Sequence, residues 1–180
     1  MLCNDCGYYK KVNHTFDWYY NEYGHYDKCT ICGYKEITPS GSETSGLVYA
    51  LRSDKASYAL IDIGSFEGEE VIIPATYKDL PVTEIQTAFF ANTTIKTIII
   101  PDTITTIFAN AFKGCTALET VVLSKNLTNI PSYAFYGCLK LKNISIPKSV
   151  TSIGEYAFRG CTSLTSITIP DSVTSIGSEA

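Results

Sequence analysis

Ala157-Phe158-Arg159-Gly160-Cys161-Thr162-Ser163-Leu164-Thr165-Ser166-Ile167-Thr168-Ile169-Pro170-Asp171-Ser172-Val173-Thr174-Ser175-Ile176-Gly177 decides the fold. Its opening recurs every 23 residues. Ala111-Phe112 with Gly114-Cys115, Ala134-Phe135 with Gly137-Cys138, and a degenerate Ala88-Phe89 stand in the same register. A fixed period of this length marks a solenoid, in which each repeat buries its apolar side against its neighbours. Within the unit, Leu164-x-x-Ile167-x-Ile169-Pro170 reads as a short strand with alternate residues facing inward. Val173 and Ile176 mark a second apolar stretch.

The apolar columns align across the copies. Ile95, Leu118, Leu141 and Leu164 share one; Ile98, Val121, Ile144 and Ile167 share the next. The columns of Ile100, Ile104 and Ile107 follow in the same way. One unit cannot fold alone, because ordering each residue costs about 1–2 kcal/mol and a single turn has no neighbour to cover its core. The expectation is a parallel sheet of about five short strands on one side. Looser second strands and single helical turns around the Ala-Phe pairs should form the other.

These strings, Leu164 to Gly177 and Ala157 to Leu164, resemble the BspA-type leucine-rich repeat over residues 71–180. The resemblance implies a β-rich solenoid, a right-handed leucine-rich-repeat stack, in a surface or secreted protein with adhesion and host-binding roles. It implies a protein or glycan ligand and no catalysis. Asn92 departs from the Cys column, and Ser124-Lys125 from Pro-Asp. Ala180 falls in register with Ala157, so the chain reads as a fragment whose last repeat is truncated.

Upstream, residues 1–38 form a compositional block holding four of the seven cysteines, both histidines and the single Trp. Residues 39–46, Pro-Ser-Gly-Ser-Glu-Thr-Ser-Gly, read as a linker. Within residues 47–70, Leu47–Leu51 and Tyr58–Ile63 flank Ser53-Asp54-Lys55-Ala56-Ser57 and read as a hairpin capping the solenoid. The first turn is four residues longer than the others, with an insertion around Ala75–Leu80.

Cys3-x-x-Cys6 and Cys29-x-x-Cys32 are paired knuckles with thiolate spacing for a tetrahedral ion, and zinc is the natural structural cofactor, with disulfides or reduced thiols as the alternative. Two ligand sets fit: the four cysteines, or His14 and His25 with Cys29 and Cys32. The segment His14–Gly33, with Trp18 and Gly24-His25, resembles a zinc-ribbon-like module found beside repeats in bacterial surface proteins. That resemblance favours the second set. Cys115, Cys138 and Cys161 share one column and are expected in the core as small apolar residues.

The candidate binding surface is the outward side of the first sheet. Its residues are Thr97 and Ile99, Thr120 and Val122, Asn143 and Ser145, and Ser166 and Thr168, flanked by Lys96, Glu119 and Lys142. Ile99 and Val122 form its apolar end. The inventory argues against catalysis: no glycine-rich phosphate loop, no convergent carboxylate pair, and histidine confined to the metal module. An accessory module of a larger enzyme is the alternative. A zinc-ribbon nucleic-acid binder is disfavoured, because net charge is −4 and the 14 basic residues are scattered. No apolar run approaches the ~20 residues of a membrane helix, and residues 1–7 lack the character of a signal peptide. Localisation at the cell surface or outside the cell follows from the resemblance.

Overall fold

A computed structural model describes residues 46–89 and 91–180 fully, and the backbone of 16–21, 24–29 and 35–36. The chain divides into two compact units, Met1–Glu43 and Thr44–Ala180. In the first, β1 (Phe16–Asn21), β2 (Gly24–Cys29) and β3 (Lys35–Glu36) form an antiparallel sheet in the order β1-β2-β3.

The second unit opens with a hairpin. Strand β4 (Val48–Leu51) pairs antiparallel with β5 (Tyr58–Asp62). Asp54 shapes the connection, its carboxylate accepting from the amides of Ala56 and Ser57 at 2.8 and 3.1 Å. The Ala56 amide first, and the Ser57 hydroxyl after it, hold its carboxyl below the ordinary carboxylate range. Next come β6 (Glu70–Ile72), β7 (Thr76–Tyr77) and β8 (Leu80–Ile85). The insertion noted in the sequence is a miniature hairpin: β7 pairs antiparallel with the start of β8, and Lys78 and Asp79 turn it with φ of 48° and 64°. Tyr77 stacks on Tyr49 at 4.3 Å and meets Tyr58 edge-on at 5.0 Å. Strand β5 lies parallel to β8, and Arg52 crosses to Glu84 at 2.6 Å. The hairpin therefore prolongs the second sheet by two strands.

From there the turns settle into a two-strand rhythm. The first strands are β9 (Thr97–Ile99), β11 (Thr120–Val122) and β13 (Asn143–Ile144), and they alternate with second strands β10 (Thr106–Ile107), β12 (Asn129–Ile130), β14 (Ser152–Ile153) and β15 (Ser175–Ile176). The result is a β-solenoid of about five turns. The first sheet runs β13-β11-β9-β6, all parallel, with Thr120 set between Thr97 and Asn143. It has four strands rather than the expected five, because Ser166–Thr168 makes no ladder bonds and stays irregular.

The second side departs from expectation more instructively. It is broken between β10 and β12, which belong to separate sheets. In this register the amides of Phe108, Gly154 and Gly177 donate to the carbonyls of Ile85, Ile130 and Ile153 in the preceding turn, at 2.7–2.8 Å. The equivalent residue at the break is Pro131, which has no N–H to give to Ile107.

Among the described residues the Ala-Phe segments contain no helix. Each is a run of tight turns, as where Ala111 donates to Phe108 and Cys115 to Phe112. Successive runs are tied together by amides donating to the next turn. Phe112 bonds Ala134, Gly114 bonds Tyr136, and Phe135 bonds Ala157 at 2.7–3.0 Å. These inter-turn bonds use the amides that an isolated helical turn would leave without partners. The core is a set of ladders. Phe89, Phe112, Phe135 and Phe158 stack at 5.2, 5.2 and 5.5 Å, and the first three are fully buried. Over the last turn the columns open: Leu164, Ile167 and Val173 are partly covered, while Ile169 and Ile176 are 40% and 59% exposed.

Candidate interaction face

Alternation in β9, β11 and β13 sorts each strand into two sets. Ile98, Val121 and Ile144 point into the core, and their neighbours point out. The outward side brings Thr97, Thr120 and Asn143 into one row through the ladder register. Ile72, Ile99 and Val122 form the next row. Val122 is 49% exposed, whereas Ile99 is half-buried, so the apolar end is narrower than the sequence suggested. Ser145 is exposed just past the end of β13. Ser166 and Thr168 are exposed too but lie outside the sheet.

Along one edge runs an alternating charge column, Glu69, Lys96, Glu119, Lys142. Lys96 reaches Glu69 at 2.8 Å and Lys142 reaches Glu119 at 2.6 Å. The hydrogen bond from Lys142 holds the Glu119 carboxyl below its ordinary value, and that to Glu69 raises the Lys96 amine. These charges satisfy one another, leaving the face itself as hydroxyl, amide and small apolar surface. Such a surface suits broad contact rather than proton transfer.

Other potential chemistry is quenched. The three repeat cysteines are free and buried, and each thiol donates to a carbonyl of the turn before. Cys115 bonds Phe89, Cys138 bonds Phe112 and Cys161 bonds Phe135, at 2.8, 3.1 and 3.1 Å. Burial pushes the Cys161 thiol up to about 11. Contact with the Cys115 thiol, and burial after it, raises Cys138. Nucleophilic sulfur needs the thiolate, and at Cys138 and Cys161 this environment suppresses it. Where Asn92 replaces cysteine, its Oδ1 accepts from the amides of Thr94 and Ile95 and closes the turn from its own side chain. An open depression of about 450 Å³ beside it is lined by Ile61, Asp62, Ile63, Thr87 and Asn92. Its carboxylate is already engaged by the Gly64 amide at 2.9 Å.

Of the proposed metal ligands, Cys3, Cys6, His14 and Cys32 lie outside the described residues. His25 and Cys29 belong to β2, in register with Tyr20 and Phe16 of β1.

One cluster was not read from the sequence. Tyr133, Tyr136 and Tyr156 gather on the turn edge. Tyr133 lies 5.7 Å from Tyr136 and 4.9 Å from Tyr156 between ring centres. Lys113 stands over Tyr133 and Tyr136 at 5.1 and 5.4 Å, and Arg159 over Tyr156 at 5.2 Å. Tyr133 and Tyr156 hold φ of 58° and 55°, a left-handed conformation unfavourable for a bulky residue. The signal was present as two 23-residue columns, Tyr133-Tyr156 and Lys113-Tyr136-Arg159, hidden because neither is apolar core.

A family model described as the BspA type leucine rich repeat region (6 copies) matches residues 83–180. The chain belongs to this family of leucine-rich-repeat scaffold proteins. Among solved structures it is similar to the leucine-rich-repeat protein of T. pallidum (32% identity, TM-score 0.70), covering 74% of this chain and 62% of that one. A leucine-rich-repeat protein of Bacteroides ovatus matches at 33% identity and TM-score 0.68, with 73% and 36% covered. A leucine rich cell surface protein of Faecalibacterium prausnitzii matches at 30% and 0.66, with 77% and 39% covered. The chain thus spans under two thirds of each of these relatives. No curated protein matches it.

Proposed function

We propose that this chain is the non-enzymatic, ligand-binding part of a bacterial cell-surface or secreted protein, serving adhesion by holding a protein or glycan ligand on the first sheet. The observation that carries the reading is the sheet face itself. Rigid ladder register places Thr97, Thr120 and Asn143 beside Ile99 and Val122, with edge charges already paired. The similar cell-surface protein of Faecalibacterium prausnitzii supports the location. Among the described residues no helix is long and apolar enough to cross a membrane.

The test is biolayer interferometry against an array of extracellular-matrix proteins and glycans, comparing the native chain with Ile99→Lys/Val122→Lys. Saturable binding that the double variant loses supports the proposal. Binding that it keeps moves the ligand elsewhere on the molecule.

The N-terminal unit we read as organised by structural zinc. His14, His25, Cys29 and Cys32, or the four cysteines, have the donor chemistry for a closed tetrahedral site. Metal analysis of the purified chain should return zinc near one per molecule, and zinc-free folded protein would refute it.

A further inference from the structure

We propose that the tyrosine–cation strip on the turn edge is a second binding site, and that it takes an acidic polysaccharide running along the solenoid axis. The strip is distinct from the sheet face and does not depend on a ligand there.

Three observations converge. First, four successive copies of this turn position, Asn110, Tyr133, Tyr156 and Glu179, take left-handed backbone at φ 65°, 58°, 55° and 51°, and two neighbouring copies carry a tyrosine there. Asparagine adopts that conformation readily, and tyrosine does not. The repeat turn sets this backbone, and two successive copies keep a bulky ring on it although asparagine would suit it better. Second, the rings are spaced by the repeat, 4.9 Å apart from one turn to the next, and present amphipathic surfaces. A pyranose has the matching character, with an apolar C–H face and a hydroxyl rim. Third, cations bracket the rings. Lys113 has no carboxylate within ion-pair distance among the described residues, and Arg159 shares Glu179 at 2.7 Å while half exposed. A carboxylate-bearing sugar meets both requirements together. A linear repeating ligand also matches a linear repeating site, which favours a polysaccharide over a folded protein.

The full chain is titrated calorimetrically with polygalacturonate, with dextran as the neutral sugar and poly-L-glutamate as the polyanion without sugar rings. Polygalacturonate should bind, more weakly as salt rises. Tyr133→Asn/Tyr156→Asn should weaken it by about tenfold, the loss of a modest aromatic anchor. Because asparagine suits the backbone, that variant should melt no lower than the native chain, so lost binding is not lost folding. Lys113→Gln should weaken binding and flatten its salt dependence. No binding of polygalacturonate, or unchanged binding by the double asparagine variant, overturns the proposal. Equal affinity for dextran removes the acidic ligand, and equal affinity for poly-L-glutamate replaces the glycan with an acidic polypeptide.

Discussion

The thiol of Cys138 donates to the carbonyl oxygen of Phe112, one turn earlier, at 3.1 Å. Cys161 and Phe135 repeat the relationship at the same distance. These cysteines are therefore hydrogen-bonding core residues that stitch the backbone of successive turns. Native protein should leave Cys115, Cys138 and Cys161 unmodified by an aromatic disulfide reagent, and unfolding in guanidinium should release all three. Rapid labelling of any of them in the native state would contradict the burial.

The buried Cys161 thiol gives the repeats an alkaline limit. Burial lifts Cys161 from the ordinary 9.0 to about 11, so the fold favours the protonated form. Its contribution is complete below pH 9, declines as the unfolded chain ionises, and is lost once pH passes about 11. Denaturant midpoints should fall across that window, and less steeply in Cys161→Ala. A profile identical in the variant would assign the fall to other groups.

Phe135 is fully buried between Phe112 and Phe158, with ring planes within 3° and 6° of its neighbours. Phe135→Ala should cost about 3–5 kcal/mol, and Phe135→Asp should open the turns around it to proteolysis. Chemical denaturation followed by circular dichroism checks both.

Two glycines should respond differently to alanine. A Cβ on Gly154 would stand 2.4 Å from the Ser132 amide nitrogen, backbone that cannot step aside. At Gly137 the nearest atom would be 3.9 Å away, although φ is +71°. Ala91 already occupies that column at φ 55°. Gly137→Ala should therefore cost about 1–2 kcal/mol, and Gly154→Ala more, in thermal melts of the two variants side by side.

Pro131 interrupts the second sheet by lacking the amide that its column uses elsewhere. Pro131→Ala supplies a donor facing Ile107, and hydrogen exchange should find that new amide protected. Exchange at the rate of an exposed loop would show that the break has another cause.

Much of this was legible in the sequence because apolar side chains repeat wherever the core repeats. Columns through Ile98, Phe112 and Cys115 align in the sequence alone. What escaped was set by the backbone. The break at Pro131 depends on which amide of its column donates between turns, and the turn runs at Ala-Phe depend on amides bonding forward to the next turn. The Lys78-Asp79 turn carries neither glycine nor asparagine, so its hairpin gave only the weak turn signal of one aspartate. Polar Tyr133 and Tyr156 sit in columns that hydrophobic alignment ignores, and their left-handed φ leaves no mark on residue type. Strict alternation sets Thr97, Thr120 and Asn143 on the side opposite Ile98, Val121 and Ile144, whereas Ser166 and Thr168 are exposed where the ladder bonds stop.

Ligand binding by the sheet face is decisive. On the matrix-protein and glycan array, the account predicts saturable binding by the native chain and its loss in Ile99→Lys/Val122→Lys, with melting temperature unchanged. Undiminished binding by that folded variant would contradict it.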